Sequence, residues 1–221
     1  MNEHILIALP HPDDESFGAA GLIALSRQKG IPVTYACGTL GEMGRNMGSP
    51  LFANRETLPS IRKRELEDAC EALDIQDLRM LGLRDKTLEF EDEEHLANII
   101  EKIVNDIKPS LVVTFYPGYG VHPDHDAFGA AVIRALKRKP ISERPVTYGI
   151  AISSNRIEEI GEPDVGINII SVADVKLKAL KAHRSQTEGM LKQMEEGLLK
   201  NNPMMMEWFE KEYFWTYKWS D

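Results

Sequence analysis

The sequence predicts an α/β fold, namely a Rossmann-like three-layer α/β/α sandwich with a mostly parallel sheet. Two observations support this class. Short apolar runs of strand length alternate along the chain with longer segments in which apolar residues recur at helical spacing. The first of these runs is apolar at every position, as in parallel strands that are buried on both faces. Right-handed crossovers between such strands place helices on both sides of the sheet.

Strands and helices alternate regularly through the first part of the chain. The predicted strands are 5–9, 33–37, 78–81 and 111–115. Helices are predicted at 17–29, 96–107 and 126–137. A further predicted helix, between the second and third strands, has Leu66 and Leu73 on its apolar face. Leucine, isoleucine and valine keep helical spacing over three turns of 96–107, which predicts an amphipathic helix laid on the sheet.

The second part of the chain departs from this regular alternation. Two further strands are predicted, at 147–152 and 165–170. A helix that ends near Arg184 follows them, and Ser171 with Asp174 is predicted to form a capping box at its start.

The C-terminal tail, 208–219, is rich in aromatic and charged residues. We expect its rings to pack over the sheet as an edge strand or a final helix. The alternative is a subunit interface, because interfaces favour exposed aromatic side chains. We predict one domain over 1–221, with a core at 1–137 and a C-terminal extension at 138–221.

Composition and charge exclude several classes of protein. The 221-residue chain has a net charge of −9 and no basic stripe, which argues against a nucleic-acid partner. No stretch predicts a signal peptide or a membrane span. The two cysteines, Cys37 and Cys70, lack Cys-x-x-Cys spacing and fit a reducing compartment. We therefore expect a cytoplasmic enzyme with neither a nucleic-acid nor a membrane partner.

Ionisable residues crowd into the turn after the first predicted strand, in the sequence His11-Pro12-Asp13-Asp14-Glu15. Open α/β sheets bind their ligands at such strand-to-helix turns. Holding an imidazole and carboxylates so close together is costly unless a cation lies among them. The turn therefore predicts a metal site.

A second cluster, His122-Pro123-Asp124-His125, follows the fourth predicted strand and opens a helix. The carboxyl ends of neighbouring parallel strands lie along one edge of a sheet, so the two turns can meet there. Catalytic zinc commonly takes three protein ligands from His, Asp and Glu and keeps a position for water. His11, Asp14 and His125 meet that count. They suit zinc (Zn2+), and ferrous iron (Fe2+) accepts the same ligands.

The two His-Pro-Asp motifs together resemble those of the zinc-dependent PIG-L/LmbE-type N-acetylglucosamine deacetylases. Agreement extends from about residue 4 to residue 187, and among these relatives the chain looks most like the deacetylases of bacillithiol biosynthesis. Four shorter stretches carry the rest of the resemblance: Gly41-Glu42, Arg62-Lys63-Arg64-Glu65, Leu83-Arg84-Asp85 and His183-Arg184-Ser185-Gln186.

The resemblance implies roles for the residues beside the metal ligands. Asp13 would be the general base, and His122 would stabilise the oxyanion or protonate the departing amine. Asp124 would orient an imidazole from outside the ligand set. Glu15 lies in the first turn of a helix, where an acid is favoured by the helix dipole, so a supporting role is as natural for it as a catalytic one.

Substrate-binding residues also follow from the resemblance. Glu42 and Asp85 would bond sugar hydroxyls. Arg62 would bind a carboxylate of a malate group or, as the alternative, pair with an acid on the surface of its helix. Tyr119, between two glycines, would reach the oxyanion by a swing of its loop. The family likeness and the aromatic tail together predict a homo-oligomer.

The expected function is zinc-dependent removal of the N-acetyl group from an N-acetylglucosamine derivative, with N-acetylglucosaminyl malate as the expected small-molecule amino-sugar substrate. One alternative is an amidase that cleaves bacillithiol S-conjugates at the same site. Another is a non-catalytic sugar- or nucleotide-binding module, against which no Gly-x-Gly-x-x-Gly run follows the first strand.

Overall fold

A computed structural model describes residues 3–200 and 202–219. In this part of the chain seven strands form one sheet in the order β3-β2-β1-β4-β5-β7-β6. The strands are β1 (Ile5–Leu9), β2 (Val33–Cys37), β3 (Asp77–Met80), β4 (Leu111–Phe115), β5 (Val146–Ile150), β6 (Val165–Asn168) and β7 (Lys211–Thr216). The first five strands are parallel, and β7 is antiparallel to both of its neighbours.

Helices cover both faces of the sheet. They are α1 (Asp14–Gly18), α2 (Ala20–Gln28), α3 (Leu58–Ala72), α4 (Glu93–Ile107), α5 (Pro123–Lys137), α6 (Arg156–Ile160), α7 (Ala173–Ala182), α8 (Arg184–Leu199) and α9 (Pro203–Glu210). Alternate residues of β1 point to opposite sides. Ile5, Ile7 and Leu9 join the core under α2, α3 and α7, whereas Leu6 and Ala8 join the core under α4 and α5. The predicted α/β sandwich is confirmed.

The helix predicted at 17–29 begins earlier and is interrupted. It starts at Asp14, and Ala19 leaves the helical conformation with φ −145° and ψ 6° before α2 begins. Ala19 is fully buried. Apolar spacing does not reveal this break, because a buried alanine fits a bend as well as a helix face.

The helix predicted at 126–137 also starts earlier, at Pro123. Proline is favoured at the first position of a helix, where its missing N–H has no partner to lose. His122 caps this helix, since its Nδ1 accepts the backbone N–H of Asp124 at 3.1 Å. Both Asp124 and His125 therefore lie inside the first helical turn.

The C-terminal extension holds the larger differences. Ser171 lies in a 3-10 turn, Ile170–Val172, and α7 begins at Ala173 without a side-chain cap, so the predicted capping box is wrong. The tail forms both α9 and β7, and β7 lies between β5 and β6 rather than at an edge. The extension is described except at 201, 220 and 221.

The strand order places the central strand β1 between β2 and β4. The turns that follow β1 and β4 therefore lie side by side at the carboxyl edge of the sheet, the position at which open α/β sheets bind ligands. Among the described residues, no helix combines the length and the apolar composition needed to cross a bilayer.

Candidate metal and active site

Three of the predicted ligands converge where β1 and β4 end. His11 Nδ1 lies 3.1 Å from His125 Nε2 and 3.5 Å from Asp14 Oδ2, and His125 Nε2 lies 3.4 Å from Asp14 Oδ1. Their potential ligand atoms lie close enough together to hold one metal ion. Two residues come from the first His-Pro-Asp turn and one from the second, so neither turn provides the set alone.

Hydrogen bonds fix which nitrogen of each imidazole faces the cluster. His11 Nε2 lies 3.2 Å from both Asp124 Oδ2 and Asp85 Oδ1, so it carries the proton. His125 Nδ1 donates to the carbonyl oxygen of Gly120 at 2.8 Å. Once deprotonated, as metal binding requires, His11 Nδ1 and His125 Nε2 point their lone pairs at each other and at a carboxylate. Such converging acceptors require a cation, and the site fits a divalent metal.

A second group, His11, His122 and Asp124, also brings potential ligand atoms together. In this group, Asp124 and His122 already accept hydrogen bonds from the backbone. The Asp124 carboxylate accepts the backbone N–H groups of Lys86 at 2.6 Å and Leu88 at 3.1 Å, and His122 Nδ1 caps α5. The first group is therefore the better metal site.

Charge in the cluster favours an ionised Asp14. Burial by itself would raise the pKa of this carboxyl group, but the imidazoles of His125 and His11 outweigh that effect and hold it well below its ordinary value. Asp14 also accepts the backbone N–H of His11 at 2.9 Å. An ionised carboxylate with a fixed orientation is the form that binds a metal.

Asp13 lies beside the ligands but is held by a different partner. Its Oδ2 lies 3.0 Å from Nη2 of Arg62, and its backbone is left-handed with φ 99°. Burial raises the pKa of Asp13 to about 6, although the Arg62 guanidinium opposes this rise. A carboxylate with a pKa near neutrality suits a general base.

Arg62 is an interior residue, only 3% exposed. Besides Asp13, its guanidinium donates to the carbonyl oxygen of Gly41 at 2.8 Å and to that of Pro12. The neighbouring acids, Asp85 and Glu42, also accept hydrogen bonds from the backbone. Asp85 Oδ2 accepts the N–H of Met43 at 2.7 Å, and Glu42 Oε1 accepts the N–H of Asp85 at 3.2 Å.

Two predicted residues lie at the margins of this cluster. The hydroxyl group of Tyr119 donates to Glu159 Oε2 at 3.0 Å and not to a predicted metal ligand. The ring of His122 lies 5.0 Å from that of His11 and 5.3 Å from that of His125. Burial and the two neighbouring imidazoles lower the pKa of His122, so it is neutral. Because its Nδ1 accepts a hydrogen bond, its proton is on Nε2.

Comparisons with known proteins agree with this geometry. A protein-family model described as PIG-L, GlcNAc-PI de-N-acetylase, matches residues 6–136. A relative from Bacillus subtilis (strain 168), called probable N-acetyl-alpha-D-glucosaminyl L-malate deacetylase 2, is 67% identical over 221 residues and covers 100% of each chain. The chain belongs to the PIG-L family.

Solved structures of lower identity share the fold. An N,N'-diacetylchitobiose deacetylase from Pyrococcus horikoshii has a TM-score of 0.73 at 22% identity, with 96% of this chain and 82% of that chain covered. A 4-carboxy-2-hydroxymuconate hydratase from Pseudomonas putida KT2440 has a TM-score of 0.75 at 16% identity, with 99% and 98% covered. Since a deacetylase and a hydratase share the architecture, chemistry in this protein depends on the site.

A cavity of about 410 Å³ opens over the cluster of this PIG-L protein, and sequence reasoning missed part of its lining. The missed residues are Met43, Gly44, Arg45 and Lys86, whereas Gln186, which also lines the cavity, belongs to one of the stretches that carry the family resemblance. Arg45 and Lys86 are exposed, and neither side chain has an ion-pair partner among the described residues. A sequence signal existed for both, because they follow the family stretches that contain Glu42 and Asp85 by three residues and by one.

Proposed function

We propose that this protein hydrolyses the N-acetyl group of N-acetylglucosaminyl malate in a zinc-dependent reaction that releases acetate and the free amine. The observation that carries the proposal is the convergence of His11, Asp14 and His125 directly beside a buried acid, Asp13. The 67% identity to a protein named as a deacetylase of that compound supports the substrate.

The metal and the protein groups divide the chemistry. His11, Asp14 and His125 would hold the zinc ion, which would supply a Lewis acid for the acetyl carbonyl and for the attacking water. Asp13 accepts the proton of that water and returns it to the departing amine. The Nε2–H of neutral His122 donates a hydrogen bond to the oxygen that becomes negative, as oxyanion-stabilising groups do.

The malate group carries two carboxylates, and the site must offer cations to bind them. Arg62 is buried and already bonded to Asp13, so its guanidinium offers little accessible surface to the substrate. Arg45 and Lys86, exposed at the cavity, are free to bind the malate carboxylates. Asp85, which lines the cavity, and Glu42, which accepts the backbone N–H of Asp85, remain our candidates for the sugar hydroxyls.

Amine release tests the reaction and the substrate separately. We expect zinc-loaded protein to deacetylate N-acetylglucosaminyl malate, and we expect chelator-stripped protein to be inactive. Plain N-acetylglucosamine should react with a higher KM. If zinc-loaded protein deacetylates neither compound, the proposed function is wrong, and amine release from bacillithiol S-conjugates tests the amidase alternative.

Charge-removing variants test the malate site. Arg45→Gln and Lys86→Gln should each raise KM for the malate conjugate by about tenfold, the value of one charge-assisted hydrogen bond. KM for plain N-acetylglucosamine should not change. Lys102→Gln, an exposed position on α4, is the matched control. Equal effects on both substrates would exclude a malate-specific role.

A further inference from the structure

The segment His183–Gln186, here called the turn, comprises the residue between α7 and α8 and the first three residues of α8, and it lies outside the segment that the family model matches. Although it contributes no metal ligand, it bonds three separate parts of the molecule. These are the base turn at Asp13, the helix that carries Arg62, and the loop that lines the cavity.

The first connection runs from His183 through Glu15 to Asp13. His183 Nε2 donates to Glu15 Oε1 at 2.7 Å, and both side chains are fully buried. The other oxygen, Glu15 Oε2, accepts the backbone N–H of Asp13 at 3.0 Å. Asp13 adopts a left-handed backbone that is costly for a residue other than glycine, and surrounding bonds must hold it there. The Glu15 carboxylate makes one of those bonds.

The second connection runs from Ser185 to α3. Glu65 Oε1 accepts the backbone N–H of Ser185 at 2.6 Å, and Glu65 Oε2 accepts its hydroxyl group at 2.6 Å. Glu65 lies three residues after Arg62 on the same helix, so the two side chains belong to one face of α3. The turn is thereby fixed to the helix whose arginine contacts the Asp13 carboxylate.

The third connection reaches the cavity loop. Ser185 O accepts the backbone N–H of Gly48 at 3.0 Å. Asn46 Nδ2 donates to Gln186 O at 3.0 Å, and Gln186 Nε2 donates back to Asn46 O at 3.0 Å. Arg45, next to Asn46, lines the cavity.

We propose that the turn His183–Gln186 positions both halves of the active site: His183 holds the general base through Glu15, and Gln186 holds the substrate loop through Asn46. This inference rests on the proposed function. The two connections share only the turn itself, so they predict separable effects. Loss of the His183 connection should lower kcat, whereas loss of the Asn46 connection should raise KM for the malate conjugate.

A matched pair of amide variants tests the first connection. In His183→Gln the amide nitrogen reaches the position of Nε2 and still donates to Glu15, whereas the shorter His183→Asn does not reach. We expect His183→Asn to lower kcat by about 100-fold, the typical effect of a displaced catalytic group, with KM within about twofold of wild type. His183→Gln should retain kcat within about tenfold. Equal kcat values in the two folded variants would overturn the proposal.

The loop variant Asn46→Ala tests the third connection. We expect KM for the malate conjugate to rise by about tenfold with kcat unchanged, because a hydrogen bond that orders Arg45 is lost. Asn98→Ala, which removes an exposed side-chain hydrogen bond on α4, is the control. If neither His183 variant folds, an unchanged KM in Asn46→Ala overturns the proposal.

Amide hydrogen exchange, measured by NMR, separates this proposal from the proposed function. The Asp13 amide should exchange at least about tenfold faster in His183→Asn than in His183→Gln, because Glu15, which accepts its hydrogen bond, is no longer held by residue 183. This result does not depend on turnover. Absence of turnover in wild type contradicts the proposed function alone, whereas equal Asp13 exchange in the two variants contradicts the positioning role alone.

Discussion

The two His-Pro-Asp turns have the same three residues and use the third in opposite ways. Asp13, in the first turn, lines the cavity beside Arg62. Asp124, in the second, is fully buried and supports His11 from behind. We propose that the first carboxylate reacts and that the second orients a metal ligand. Identical short motifs therefore do not carry identical roles.

Backbone conformation explains the difference. Asp13 precedes α1 in a left-handed conformation that turns its carboxyl group toward the cavity. Asp124 lies in the first turn of α5, where Pro123 starts the helix. Its carboxylate consequently meets the backbone N–H groups of Lys86 and Leu88. A mutation at each position should reveal a different property.

The largest effect should come from Asp13→Asn. An amide cannot accept the proton of the attacking water, so kcat should fall by about 10³- to 10⁴-fold. Zinc affinity should stay near the wild-type value, because Asp13 is not in the ligand set. Amine-release kinetics and a zinc competition titration measure the two quantities. A large loss of zinc affinity would show instead that Asp13 is a ligand.

Each turn contributes proposed ligands to the metal site, so removing a ligand from either turn should abolish stabilisation by zinc. At free zinc about 100-fold above Kd, the melting temperature of wild type should rise by about 5–10 °C. Asp14→Asn and His125→Gln should both lose this shift in thermal unfolding. A full shift in either variant would remove that residue from the ligand set.

Asp124→Asn should have a smaller effect, and this effect should be mainly a loss of metal affinity. An asparagine keeps one acceptor oxygen, but its amide nitrogen faces the backbone donors that the carboxylate now satisfies, and His11 loses its charged partner. Zinc affinity should fall by about 10- to 100-fold, which is typical for residues that orient metal ligands. Chelator competition measures this. A loss of kcat at full zinc occupancy would instead indicate a direct role in the reaction.

The smallest effect concerns strain in the second turn. Val121, directly before His122, is 70% exposed and has φ 66°, which is unfavourable for a β-branched residue. Val121→Gly should relieve this strain and raise the free energy of unfolding by about 1 kcal/mol, after the entropic cost of glycine. Denaturant unfolding measures the change. The control Val146→Gly, in an ordinary strand, should destabilise, and a similar loss at Val121 would contradict the strain.

The sequence by itself was enough to predict the α/β class, the family and most of the strands. Each of these depends on local pattern. The apolar run 5–9 predicts a buried strand wherever it lies in the fold, and His11 and His125 follow strand-like runs whose carboxyl ends share an edge. The structure brings the predicted ligands together, and their occupancy by metal stays a prediction.

Only the tertiary structure decided which groups face each other across the chain. Arg62 contacts Asp13, Asp124 contacts His11, and His183 contacts Glu15, all between residues far apart in sequence. The insertion of β7 between β5 and β6 likewise brings together strands that are far apart in the sequence. Periodicity and motif spacing report local conformation and burial. Long-range contacts depend instead on how helices and strands pack, which one sequence without its fold does not specify.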